Sequence, residues 1–273
     1  MKNMLDYIEE YGNYSFKEKP FNEIDNLIFS QLAYTDFKNI ADKQSVSLLK
    51  GAKLFFAMYT QQEIDELIAI SAKSADLLRR CSMAKRFQNI ILCDYINNVS
   101  DDIDKQFSAI HFLLDDGCDV VAFRGTDVTV TGVKESAMLS YMFPVPAQIE
   151  ALYYFQETCM RHSGDIILCG HSKGGNLAVF AQIFLPERGQ CLLGRDLTEA
   201  LFGLFGQLVD HCLHGNSLLL GFLLVQRVTK KLRPALPFGK GDEAVTFTPR
   251  YHPVSAPSKE RRSNAVTGRA VPH

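Results

Sequence analysis

Ser172 stands in ILCGHSKGGN, residues 167–176, with a glycine two positions to either side: Gly170-His171-Ser172-Lys173-Gly174. A serine hydroxyl is a poor nucleophile unless a base takes its proton and a third group orients that base. What this G-x-S-x-G spacing offers is geometry. Where a strand reverses sharply into a helix, the serine is held strained with its oxygen exposed. Gly170 and Gly174 remove side chains that would strike the neighbouring strand and helix, and Gly175 lets that helix pack closer. The backbone N–H of Lys173 then falls at a helix N-terminus, a natural place to stabilise an oxyanion. Upstream, FRGTD ends an earlier apolar run, and Arg124-Gly125-Thr126 offers a second oxyanion donor, assigned to Thr126.

The motif requires a strand before it and a helix after it. DIILC is a short continuous apolar run of the kind buried in a parallel sheet, and NLAVFAQIFL reads as a helix that must stop near Pro186. NIILCDYI, FSAIHFLL and CDVVAFRGT read as adjacent strands, with Asp115-Asp116-Gly117 turning between the last two. FPVPAQIEALYYFQETCMRHSG reads as a helix, with Pro144 and Pro146 near its start and Ala151, Phe155 and Cys159 on one stripe. Nearer the N-terminus, Ile24, Leu27, Ile28 and Leu32 fall on one helical face. Thr60 and Glu63 form a capping-box signature for a helix that carries Ile64, Leu67, Ile68, Ala75 and Leu78. Strand, helix, strand, helix in this order predicts an α/β fold, a layered sheet with flanking helices.

Composition narrows the function classes. The chain has 273 residues, 47% hydrophobic and 22% charged, as in a globular protein with one good core. A formal net charge of −2 and a sparse Arg261-Arg262 region give no reason to expect a nucleic-acid partner. The opening MKNMLDYIEEYGNYSF has no apolar core of a secretory signal. Seven cysteines at irregular spacing, with no C-x-x-C pair, suit a reducing compartment, so a cytoplasmic location is expected. GHSKGG lacks the spacing of a phosphate-binding P-loop, and no Cys/His set has zinc spacing, so neither a cofactor nor a metal is expected. His111 and His162 are read as ordinary strand and helix residues, and His171 as packing beside the turn. The apolar NSLLLGFLLVQ is too short to span a bilayer.

The averages hide a discontinuity. Residues 1–185 carry 17 basic against 24 acidic side chains, and residues 186–273 carry 12 against 7. Isoleucine occurs 16 times up to Ile183 and never again, while seven of the ten prolines follow Leu185. The chain is therefore expected to divide into a catalytic-type core at 1–185, an apolar helical segment at 186–229 and a disordered basic tail at 230–273. Two readings fit, an ordinary domain with a basic tail or a different coding history for the last third (a frameshift, a fusion or a misplaced gene end), and the second is preferred.

VVAFRGTD, PVPAQ and GDIILCGHSKGGNLAVFA, with the opening PFNEIDNLIFSQLAYTDF, resemble an uncharacterised bacterial family of the α/β-hydrolase superfamily, related to the class 3 triacylglycerol lipases. The resemblance covers about residues 5–185. It implies an α/β-hydrolase-like layered sheet, incomplete at its C-terminus, with Ser172 as nucleophile and Thr126 with the Lys173 amide as oxyanion hole, acting on a small-molecule or lipid-like ester. Two departures stand out. Where the family has a tryptophan and an acidic-aromatic stretch, this chain has GVKESAMLSYM, an altered loop around Val133 to Met138. After Leu185 the family's aspartate-bearing strand end and later histidine have no counterpart. In this fold the triad runs Ser, then Asp or Glu, then His, which leaves Asp196, Asp210, Asp242, His211, His214, His252 and His273, none in a recognisable strand-end loop. Losing the histidine of a triad costs on the order of 10⁶ in turnover, and an oxyanion hole alone keeps roughly 10³–10⁴ over water. The sequence thus points to a serine hydrolase of the esterase or lipase type, or else to an inactive or truncated hydrolase-like scaffold.

Overall fold

The polypeptide begins with helices whose ends are set by short polar side chains. In the computed structural model, the residues described are 3–66, 69–127, 129–162, 164–185 and 226–228. All lie in the first of two units into which the chain divides, Met1–Pro234; the second, Ala235–His273, holds no described residue.

Asn3 caps helix α1 (Met4–Tyr11) and Asn22 caps α2 (Glu23–Leu32), and in each the aspartate three residues on accepts the cap's own backbone N–H in return. Strand β1 (Val46–Ser47) is brief, and Ser47 caps α3 (Leu48–Met58) by accepting from the Lys50 N–H. Thr60 and Glu63 form the expected capping box at α4 (Gln61–Asp65). The single long helix expected from Thr60 onward is instead two: α4 closes at Glu66, whose N–H returns to the Gln62 carbonyl, and α5 (Ala69–Met83) starts anew. Leu67 and Ile68 lie outside the described residues. Helix α6 (Lys85–Gln88) then presents Arg86, 2% exposed, to Asp25. Arg86 donates through Nε (2.8 Å) and Nη2 (2.5 Å) to the Asp25 carboxylate and through Nη1 to the Lys19 carbonyl (2.9 Å), tying the N-terminal segments to α6.

The sheet follows. β2 (Ile91–Ser100), β3 (Lys105–Leu113) and β4 (Asp119–Phe123) are consecutive antiparallel strands, with Gly117 at φ +86° in the turn before β4. β2 runs further than its apolar stretch because a register shift between Cys93 and Ile96 lets Asn97–Ser100 go on pairing with β3. Helices α7 (Val130–Met138) and α8 (Pro146–Arg161) lead to β5 (Ile166–Gly170), which pairs in parallel with β4. Helix α9 (Lys173–Ile183) closes this run. The loop expected around Val133 to Met138 is helix α7: Thr129 caps it by accepting from the Gly132 N–H, and Glu135 turns inward. Of the segment 186–229, only Gln226–Val228 are described. They form strand β6, antiparallel to β5, and the expected helix and basic tail otherwise lie outside the described residues.

The six strands stand in chain order, β1 to β6. Side chains alternate across the sheet. Ile110, Phe112, Val120, Ala122, Ile167 and Cys169 join the core beneath the N-terminal helices. Phe107, Ala109, Val121, Phe123, Ile166 and Leu168 pack on Ala147, Ala151 and Phe155 of α8 and Leu177, Ala178 and Ala181 of α9. A mixed sheet covered on both faces by helices is an α/β architecture. No described helix is long and apolar enough to cross a membrane.

Candidate active site around Ser172

Ser172 is the second of the two residues between β5 and α9, and its backbone lies at φ +58°, ψ −122°. A residue with a side chain reaches that region only under strain, about 1–3 kcal/mol held by the surrounding packing. Its side chain is exposed, whereas Lys173, Gly174 and Gly175 behind it are buried. The glycines explain how the turn fits. A Cβ on Gly174 would lie 2.1 Å from the Phe123 carbonyl oxygen, and one on Gly170 would lie 2.4 Å from the Gly174 carbonyl carbon. At Gly175 the nearest atom would be the Gly170 oxygen at 3.0 Å, a tight contact but not an impossible one.

The FRGT segment lies directly against this turn. A Cβ on Gly125 would meet the His171 carbonyl oxygen at 2.3 Å and the Tyr34 hydroxyl at 2.2 Å. The Thr126 hydroxyl is hydrogen-bonded to the Ser136 hydroxyl of α7, a bond in which either oxygen can be the donor. Lys173 opens α9, where a backbone N–H has no intrahelical acceptor. Arg124 donates to Asn97 (3.0 Å) and Asp127 (3.3 Å), holding the start of the loop.

The Lys173 side chain, absent from the sequence reading, organises the site. Its ammonium donates to the Gln106 carbonyl (2.6 Å), to Gln106 Oε1 (2.6 Å) and to Glu135 Oε2 (2.8 Å). Glu135 also accepts the N–H groups of Gln106 (2.9 Å) and Ala147 (2.8 Å). One buried ion pair thus joins β3, α7, α8 and the first turn of α9. Burial lowers the Lys173 pKa, opposed by the Glu135 charge. All three ammonium protons are engaged, so Lys173 is not placed to act as a base.

His171 packs beside the turn as its position suggests: its Nδ1 lies 3.2 Å from the Tyr34 hydroxyl, with the rings edge to face. Burial pushes the Tyr34 phenol up to about 12, so it stays protonated at neutral pH. His111 pairs with Val121, and His162 follows α8, so both lie toward the far ends of the strands from Ser172. Asp196, Asp210, Asp242, His211, His214, His252 and His273 are outside the described residues.

Residues 81–192 match the model of a family described as Mbeg1-like. The matched region runs from the end of α5 through the Thr126 segment, Glu135 and the Ser172 turn. Its description names no reaction. No curated protein and no solved structure matches the chain.

Proposed function

We propose that this protein is a serine ester hydrolase of the α/β-hydrolase type, with Ser172 as nucleophile. The observation that carries the reading is the exposed Ser172 at φ +58° between a buried parallel strand and a helix, the strained turn on which such nucleophiles sit. Ser172 Oγ attacks the ester carbonyl while its proton passes to a base. The oxyanion that forms is met by the Lys173 N–H and by the N–H of the Thr126 segment. The base then protonates the leaving alcohol, and water releases the acid by the same steps in reverse order. Val130, Val133 and Tyr141, in and just after α7, the helix that follows the Thr126 loop in the chain, present exposed apolar surface at 72%, 56% and 74%. That surface favours a lipid-like or other acyl substrate over a strongly charged one.

A second reading rests on the histidines. Of the three that are described, His111 and His162 lie away from the turn and His171 is engaged by Tyr34. If no histidine beyond residue 185 reaches Ser172, the turn is scaffold and the protein is an inactive hydrolase-like binding module. Labelling of the full chain by a fluorophosphonate probe, beside Ser172→Ala, separates the two. Wild-type labelling that vanishes in the variant supports the enzyme. A folded wild type that takes no label overturns it and leaves the scaffold.

A further inference from the structure

Toward the end of the sheet away from Ser172, four segments bring two imidazoles and two carboxylates together. His111 is on β3 facing α8, Asp119 opens β4, His162 follows α8, and Asp94 sits in the bulge of β2 at φ +53°. The His111 ring is fully buried, yet neither of its nitrogens makes a hydrogen bond of acceptable geometry. Buried polar atoms without partners are rare and costly.

The spacing of its neighbours is informative. His111 Nε2 lies 3.4 Å from Asp119 Oδ2, and that same oxygen lies 3.3 Å from His162 Nδ1. Donors held about 2.0–2.1 Å from a tetrahedral zinc ion stand about 3.3–3.4 Å from one another. Donor atoms of His111, Asp119 and His162 all fall within 4.8 Å of each other.

The opposite edge of the His111 ring fits as well. Nδ1 faces Asp94 Oδ2 at 3.6 Å, and Asp94 Oδ1 accepts from Arg161 Nη1 at 3.0 Å. A histidine that ligates a metal ordinarily turns its second ring N–H toward a carboxylate, which fixes the tautomer. With the proton on Nδ1, the Nε2 lone pair points at Asp119 and His162. Asp94 is already matched by Arg161, whereas the ion pairs recorded for Asp119 are to the two imidazoles. The His162 side chain is 25% exposed, which opens a path for an ion and room for water.

We propose that His111 Nε2, His162 Nδ1 and the Asp119 carboxylate bind a zinc-class divalent transition ion, with Asp94 positioning His111 and water as the fourth ligand. Two imidazoles and one carboxylate suit zinc, cobalt or nickel, while magnesium and calcium favour all-oxygen shells. Asp119 and Phe123 are four residues apart on β4, about 13 Å at the usual strand rise, so the ion stands apart from the Ser172 chemistry. It would join β3, the start of β4 and the end of α8. The competing occupant is a proton. Burial lowers the His111 pKa, but Asp119 and Asp94 outweigh it and raise the metal-free value to about 10.

The test uses untagged full-length protein stripped with a chelator and titrated with Co²⁺, then Zn²⁺. The expected result is one equivalent of Co²⁺ with the visible bands of a four-coordinate ion, displaced by Zn²⁺, and a rise in Tm with zinc. His162→Ala, at a position one-quarter exposed after the helix, should abolish both signals while the protein remains folded. Asp94→Asn keeps a residue that tolerates positive φ and should weaken binding by about 10–100-fold. No cobalt spectrum in folded wild type, or binding that survives His162→Ala, overturns the site and leaves His111 as a buried imidazolium between two carboxylates.

Discussion

The ammonium of Lys173 lies 2.8 Å from a carboxylate oxygen of Glu135, and the two side chains are 1% and 0% exposed. The residue beside Ser172 is therefore anchored by charge to α7, the helix that follows the Thr126 loop. Removing one member of a buried pair strands the other, at a cost of about 3–5 kcal/mol. Lys173→Met should lower unfolding stability by that order in urea titrations. Adding Glu135→Gln should restore part of the loss, because the stranded charge is gone and an amide oxygen remains for the Gln106 or Ala147 N–H. If the double variant were less stable than Lys173→Met alone, the pair would not be what binds these elements.

The glycines of the turn should not be equivalent. An alanine at 174 places its Cβ 2.1 Å from the Phe123 carbonyl oxygen, and the obstacle is backbone of a buried strand. Gly174→Ala should therefore shift β4 against α9 and cost more than the 1–3 kcal/mol usual for overpacking. Gly175→Ala meets only the Gly170 oxygen at 3.0 Å and gains helix propensity, about 1 kcal/mol at most, in the first turn of α9. Thermal melts of the two should separate clearly. Equal melting temperatures would mean that the close approach of Phe123 is not rigid.

Much of this arrangement was legible in the sequence because it depends on local signals. DIILC, the glycines of GHSKGG and NLAVFAQIFL state a strand, a sharp turn and a helix in twenty-one consecutive residues, 165–185, and the structure has β5, Ser172 at positive φ and α9. The capping box of Thr60 and Glu63 acts over three residues and is equally local. Glu135 was missed for the opposite reason. Its role comes from Gln106, Ala147 and Lys173, contributed by three other elements, and no spacing within GVKESAMLSYM announces it. His111, Asp119 and His162 are hidden likewise, since pairing of β3 with β4 and the return of α8 bring them together. The stretch around Val133 to Met138 was read as a loop from the resemblance; α7 exposes Val130 and Val133 and buries Glu135 beside Met138, so no plain apolar stripe marks it as a helix.

The N-terminal layer depends on a second buried pair. Arg86 and Asp25 are both 0% exposed at the side chain, and Arg86 also donates to three backbone carbonyls, those of Tyr14, Ser15 and Lys19. Arg86→Met leaves Asp25 charged and those carbonyls without their donor. A loss of about 3–5 kcal/mol is expected. Hydrogen exchange should show the loss first in the amides of residues 14–25. Uniform loss across the sheet, with no early release of that segment, would show that the arginine does not secure it.

Ser172 itself offers the sharpest separation of strain from chemistry. At φ +58°, ψ −122°, glycine is comfortable and any residue with a Cβ is not. Ser172→Gly should relieve about 1–3 kcal/mol of strain and give back about 0.4–1 kcal/mol in the entropy of a freer unfolded chain. The net expectation is a protein more stable by about 1 kcal/mol. Ser172→Ala keeps the Cβ and so should melt close to wild type. Both variants lack the hydroxyl, so neither should take a fluorophosphonate label. A glycine variant more stable than the alanine one would mark the turn as held in strain, the condition expected where function sets the conformation. Two variants of equal stability would mean that the turn is relaxed as it stands, and the strain argument for a nucleophile at this position would fail even if the serine were accessible.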